Sequence, residues 1–204
     1  MSMTANRRAV FLDKDGTLIR DVPYNVDPAS VRLLPGTGEG LARLHAAGYR
    51  LIVITNQSGV ARGRFAIEAL AGVEARLREL LGPFGVPLAG FYFCPHHPEG
   101  TVPAYTRSCE CRKPGPGMIR RASADHGVDP ARSWFIGDIL HDIEAGHRAG
   151  CRAILIDNGH ETEWDLTPAR TPDGRAADLD EAARLILAAD GDEAEAKTTG
   201  ARPS

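Results

Sequence analysis

Residues 10–17 read Val-Phe-Leu-Asp-Lys-Asp-Gly-Thr. A short apolar run of strand type ends in two carboxylates, Asp13 and Asp15, with one lysine between them and Gly-Thr directly after. Alternation along a strand sends Asp13 and Asp15 to the same side, and Gly16 lets the chain turn tightly around what they hold. Two like charges this close repel unless a cation or a proton lies between them. A hard cation such as Mg²⁺ suits the pair, because it takes one or two carboxylates and leaves its other positions to phosphate oxygens and water. Taken alone, the segment is also an ordinary strand-to-turn junction. The remaining polar residues decide between the two.

Those residues recur at one kind of place. Apolar runs of β type at 8–12, 49–55, 88–93, 133–137 and 151–156 alternate with helical patterns at 37–47, 67–81, 116–126, 142–149 and 179–189. The run 49–55 is nearly continuous in apolar residues, as a strand covered on both faces requires. Ile67, Leu70, Leu77, Leu80 and Leu81 share one helix face, and Gly48, Gly127 and Gly150 stop helical segments. The alternation predicts a doubly wound α/β domain with a parallel sheet. In such sheets ligands bind beyond the carboxyl ends of the strands. Strand one ends in Asp13 and Asp15, strand two in Thr55 followed by Asn56-Gln57-Ser58, and strand four in Gly137-Asp138 with Asp142 a helical turn further on. A long aperiodic stretch, 95–114, delivers Arg112 and Lys113 just before a helix. Singly, Thr55-Asn56 reads as a capped turn, Lys113 as a solvated lysine and Asp142 as a helix-start residue. Together, on alternating units, they read as one site.

Cys94, His96, Cys109 and Cys111 surround the same aperiodic stretch. Two close ligand pairs joined by a loop are how tetrahedral zinc is held, and His97 is the substitute for His96. Four protein ligands leave no open position, so the zinc is structural and orders the loop that carries Arg112 and Lys113. Cys151 opens an apolar strand and reads as a buried small hydrophobe.

Composition bounds the rest. A chain of 204 residues fits one domain with ample core, and 43% hydrophobic with 25% charged residues is ordinary for a globular protein. A net charge of −3 points to no nucleic-acid or anionic membrane partner. No apolar run reaches membrane length, and the N-terminal residues lack an apolar signal core. The expectation is a cytoplasmic monomer with reduced cysteines. Residues 1–190 are expected to form a single domain containing the zinc loop 94–114, and the polar segment 191–204 a disordered tail.

The segments DKDGT, ITN, RKP and IGD with its second aspartate resemble the four motifs of haloacid dehalogenase-like phosphatases, whose sheet is Rossmann-like. The resemblance implies that Asp13 is a nucleophile that forms an aspartyl-phosphate. It implies that Asp15 protonates the leaving alcohol and then activates water. Thr55 and Lys113 would hold the transferring phosphoryl group. Mg²⁺ would bind Asp13, Asp138 and the backbone carbonyl of Asp15, with Asp142 in support. The stretch Cys-Pro-His-His-Pro-Glu-Gly through Cys-Glu-Cys-Arg-Lys-Pro-Gly-Pro-Gly-Met, and Thr-Asn-Gln-Ser-Gly-Val-Ala-Arg-Gly at 55–63, resemble the D-glycero-D-manno-heptose-1,7-bisphosphate 7-phosphatase branch. That branch implies a phosphorylated heptose as substrate, lined by Asp21, Tyr24, Thr55, Asn56, Gln57, Ser58, Arg112 and Lys113. The histidinol-phosphate phosphatase branch shares the motifs and a similar zinc loop and is the alternative. A zinc-stapled sugar-phosphate-binding protein is the non-enzymatic one. Ile139 stands where the heptose branch usually carries a substrate-contacting lysine. A bisphosphate needs a second anion site, for which Arg62 and Arg64 join Arg112 as candidates. The short span between Thr17 and the first helix leaves no room for a cap domain.

Overall fold

The structure, a computed structural model, describes residues 7–199, with side chains described to residue 191. Among these residues, six strands form one sheet: β1 (Ala9–Leu12), β2 (Arg50–Asn56), β3 (Gly90–Cys94), β4 (Trp134–Gly137), β5 (Arg152–Ile156) and β6 (Gly174–Ala176), in the order β3-β2-β1-β4-β5-β6. Every neighbouring pair is parallel. The five α-helices are α1 (Thr37–Ala46), α2 (Ala69–Leu81), α3 (Gly117–His126), α4 (Leu140–Ala149) and α5 (Leu179–Thr199).

Strand alternation explains the layering. Val10 and Leu12 of β1 point into a core with Leu41 and Leu44 of α1, Val73 and Leu77 of α2, and Ala182 and Ile186 of α5. Ala9 and Phe11 point the other way, against Ile119 and Ala122 of α3 and Ile143 of α4. All four β1 residues are therefore buried, which is why this strand reads as an unbroken apolar run.

The chain passes from β1 to β2 and β3 on one side and resumes with β4 on the other. The strand order reverses between β1 and β4, and that reversal opens a crevice at the carboxyl ends. Register brings those ends level: Leu12 lies opposite Val53 on β2 and Ile136 on β4. No cap domain intervenes among the described residues. Between β1 and α1 the chain makes only single-residue bridges, Asp15 to Ile19 and Ile19 to Leu33, and a short turn at Pro28–Ser30.

Boundaries differ from the predicted ones in instructive places. α2 begins at Ala69 rather than 67 because residues 66–68 are still turning. α4 begins at Leu140, not 142, because the Asp142 carboxylate accepts from the amides of Asp138 and Ile139 at 3.2 and 3.4 Å and so caps the preceding turn. β6 was not expected; three residues are too short to show a period. α5 runs past the predicted stop at 189, across Gly191 and through Glu-Ala-Glu-Ala-Lys at 193–197, a run of good helix formers, into the segment expected as tail. Residues 200–204 of that segment lie outside the described residues.

Candidate functional site: a buried carboxylate cluster at the strand ends

Asp13 follows β1 directly, and its amide donates to Ile136 O of β4 at 2.9 Å, which fixes it at the crevice. Asp138 follows β4. Asp13, Asp138 and Asp142 are all buried and offer carboxylate oxygens within 4.8 Å of one another. Lys113 enters from the long loop, also buried, with Nζ 2.5 Å from Asp13 Oδ1 and 2.6 Å from Asp142 Oδ1. Gly16 is where the chain must bend away: φ is +81°, and a Cβ there would lie 2.1 Å from Asp138 Oδ2.

One ammonium against three carboxylates leaves the cluster short of positive charge. Burial, reinforced by the Asp142 charge, raises the Asp13 carboxyl above its usual range in spite of Lys113. Burial, then the charges of Asp13 and Asp142, push Asp138 up to about 9. Burial works to lower Lys113, but Asp13 and Asp142 outweigh it and hold the ammonium above its ordinary value. Such a donor set, all hard oxygens and under-neutralised, fits Mg²⁺. Asp142 serves the cluster at one remove, because one oxygen faces Lys113 and the other caps α4.

The Asp15 side chain is not in this cluster. Lys14 Nζ lies 2.6 Å from its Oδ1, and Gln57 Nε2 donates to its Oδ2 at 3.1 Å. Lys14 is itself buried. Gln57 also donates to Thr55 Oγ1 at 2.9 Å. Thr55 therefore accepts from Gln57 and keeps its own hydroxyl hydrogen for another acceptor. Asn56 clasps the backbone of Lys113: its Oδ1 accepts from Lys113 N at 3.0 Å and its Nδ2 donates to Lys113 O at 3.2 Å. The end of β2 thus holds the loop that delivers the lysine.

These groups open onto a cavity of about 290 Å³. Asp13, Asp15, Asp21, Tyr24, Thr55, Asn56, Gln57, Ser58, Lys113 and Asp138 of the sequence-derived set line it. Arg112 does not. It is half-buried behind the loop, and among the described residues its Nη1 has no hydrogen-bond partner. Arg62 is 3.1 Å from His97 and 3.8 Å from Glu99. Arg64 reaches the cavity only through Tyr24, whose ring lies 5.5 Å from the guanidinium. Ile139 lines the cavity, as does His160, which the sequence did not bring forward. His160 follows the end of β5, and the strand-end rule that found the other groups applies there too.

Cys94, His96, Cys109 and Cys111 form the second cluster, with one ligand atom each inside a 4.8 Å set. The sulfurs lie 3.0–3.5 Å apart, His96 Nδ1 faces them, and no disulfide forms. Burial, then the Arg107 guanidinium, lower the His96 pKa and keep the ring neutral, the form that ligates metal. Burial, then the Cys111 contact, push the Cys94 thiol up. For Cys109 burial also raises, but hydrogen bonds with Cys111 and Cys94 outweigh it and hold the thiol below its usual value. Three thiols and an imidazole converging on one point fit zinc. His97 points elsewhere, its Nδ1 accepting from Glu99 N at 3.1 Å.

Comparison with known proteins agrees with this geometry. A HAD-hydrolase-like family model matches residues 110–182. The chain is 39% identical over 158 residues to D-glycero-β-D-manno-heptose-1,7-bisphosphate 7-phosphatase of Yersinia pestis, covering 77% of this chain and 84% of that protein. It is 36% identical over 156 residues to D-glycero-α-D-manno-heptose-1,7-bisphosphate 7-phosphatase of Photorhabdus laumondii, covering 76% and 85%. Among solved structures, D,D-heptose 1,7-bisphosphate phosphatase from B. bronchiseptica, complexed with magnesium and phosphate, matches with a TM-score of 0.76 at 32% identity, over 88% of this chain and 98% of that one. The sheet order, the strand-end carboxylates and relatives of this identity and coverage place the chain in the haloacid dehalogenase-like phosphatase family, in the branch of the heptose bisphosphatases.

Proposed function

We propose that this chain is a Mg²⁺-dependent phosphomonoester hydrolase that removes the 7-phosphate from D-glycero-D-manno-heptose 1,7-bisphosphate through an aspartyl-phosphate on Asp13. The observation that carries the reading is the contact of buried Asp13 with buried Lys113 at 2.5 Å, inside an acidic cluster at the topological switch point. The names of the relatives supply the sugar.

Each residue has a task that its environment supports. Asp13 attacks phosphorus and splits hydrolysis into two easier displacements. The Lys113 ammonium, held charged by its carboxylate partners, offsets the negative charge of the equatorial oxygens. Thr55 donates its free hydroxyl hydrogen to the phosphoryl group. Asp15, clamped between Lys14 and Gln57, gives a proton to the leaving alcohol and takes one from the attacking water. Asp13, Asp138 and the backbone carbonyl of Asp15 would hold Mg²⁺, which would offset the negative charge of the phosphate dianion and of the attacking carboxylate. Asp21, Tyr24, Asn56 and Ser58 face the sugar. Arg112 and Arg64 stand outside the cavity lining, Arg64 behind the Tyr24 ring, so neither arginine is assigned to the second phosphate.

A zinc held by Cys94, His96, Cys109 and Cys111 would be structural: the last of these residues lies two before Lys113, so the clip would fix the loop that presents the lysine. We read the enzyme as one catalytic unit over residues 1–190, acting as a cytoplasmic monomer; no helix among the described residues is long and apolar enough to cross a membrane. A panel of both heptose bisphosphate anomers and histidinol phosphate, run with Mg²⁺, tests the substrate. The reading expects kcat/KM for one bisphosphate anomer to exceed that for histidinol phosphate by ~10² or more. Preference for histidinol phosphate contradicts it.

A further inference from the structure

The β5 end contributes a side chain for which the reaction above has no use. His160 lines the cavity beside Ile139 with its side chain 39% exposed. Its Nδ1 lies 2.7 Å from Asp138 Oδ2. The loop that carries it is pinned on both sides without it: Asn158 Nδ2 donates to Gly16 O at 2.7 Å, and Glu161 Oε2 accepts from Leu140 N at 2.6 Å. Asp138 likewise has a second anchor, since Thr17 Oγ1 donates to its Oδ1 at 3.1 Å. His160 is therefore not needed to hold the loop or to fix the carboxylate.

We propose that His160 is a substrate-contacting, specificity-determining residue whose Nε2 accepts a hydrogen bond from a hydroxyl group of the sugar. The tautomer follows from its partner. A metal-ligating carboxylate only accepts, so Nδ1, which faces Asp138, is the ring nitrogen that carries hydrogen in the neutral imidazole. Nε2 then presents a lone pair to the cavity. A lone pair repels a phosphate oxygen and matches a hydroxyl donor. The neighbouring rim residue, Ile139, adds no charge and no hydrogen bond, so this side of the cavity is built for the neutral polyol and not for an anion. Gly159, at φ +88° with open space where a Cβ would stand, lets the chain turn His160 inward between the two pins.

This inference rests on the sugar-phosphatase reading, and the test separates the two. The kcat/KM values of wild type, His160→Ala and His160→Gln are measured on D-glycero-D-manno-heptose 1,7-bisphosphate and on p-nitrophenyl phosphate, which has no sugar hydroxyls, at saturating Mg²⁺. The ratio of sugar to aryl substrate is expected to fall by ~10-fold or more in His160→Ala, through KM for the sugar, because a site built around a hydroxyl loses that discrimination when its partner goes. His160→Gln, whose amide oxygen also accepts, restores most of the ratio. Equal losses on both substrates, an unchanged ratio, or a Gln variant as impaired as the Ala variant overturns the proposal. Failure of the wild type on the bisphosphate, with the aryl ester cleaved, contradicts the substrate reading instead and is seen without any variant.

Discussion

Asp13 combines burial, an ammonium partner and two carboxylate neighbours, and each bears on what its replacement does. Asp13→Asn removes the nucleophile and also one charge from an over-negative cluster. Turnover is expected to vanish, while the melting temperature of the metal-free variant equals or exceeds that of wild type, since burial raises the Asp13 carboxyl and ionising it costs stability. A steady-state assay and a thermal melt check the two halves. Lys113→Met removes the positioned charge and is expected to lower kcat by ~10²–10³. At this scale the sequence was legible wherever a polar residue closes an apolar strand: Asp13, Asp15, Thr55 and Asp138. Lys14 was not, because a lysine between two aspartates looks solvated. It is buried only once residues 17–19 fold back over it, with Leu18 and Ile19 both donating to its carbonyl. Arg112 shows the converse, since adjacency to Lys113 in sequence does not carry it into the cavity.

The zinc loop carries only one short 3₁₀ turn, Pro103–Tyr105, and is held at its ends. At one end the Cys₃His cluster ties β3 to the turn before α3, and at the other Asn56 clasps both backbone groups of Lys113. Asn56→Ala is expected to lower kcat roughly 5- to 100-fold, the range of two modest hydrogen bonds, with zinc content unchanged. Zinc removal with a strong chelator, followed by readdition of Mg²⁺, is expected to leave much reduced activity and faster amide exchange across residues 94–114 than in the zinc-loaded protein. Full activity of a zinc-free preparation would show that the lysine needs no clip. The cluster could be read in the sequence because ligand chemistry is carried by residue type and spacing. The start of α4 could not, because it depends on Asp142 serving two partners at once. β6 was illegible because its stability comes from pairing with β5 and not from its own three residues.

Across the whole molecule, α5 packs into the core through Ala182 and Ile186, and one carboxylate adds a polar tie to the sheet. Asp190 accepts from Arg8 at 2.9 Å, from Arg152 at 2.5 Å, from Trp134 Nε1 at 3.4 Å and from the Tyr49 hydroxyl. Burial works to raise its pKa, but the hydrogen bonds from Tyr49, Trp134 and Arg152 outweigh it and hold the carboxyl below its ordinary value. A depressed folded pKa gives stability that is present above the unfolded value of about 3.9 and is lost as pH falls through the folded one. Asp190→Asn is therefore expected to lower the melting temperature at neutral pH by roughly 3–10 °C, with the gap to wild type closing in strong acid. The doubly wound architecture itself was legible from the alternation of apolar runs and helical faces, and with it the crevice. That crevice is where the account is tested most directly. The enzyme is mixed with heptose bisphosphate and Mg²⁺, quenched in acid during turnover, and digested, and the peptides are mapped by mass. A phosphoryl group on Asp13, dependent on Mg²⁺ and absent from Asp13→Asn, is the predicted result. Turnover without any phosphoryl transfer to the chain, and with Asp13→Asn still active, would contradict it.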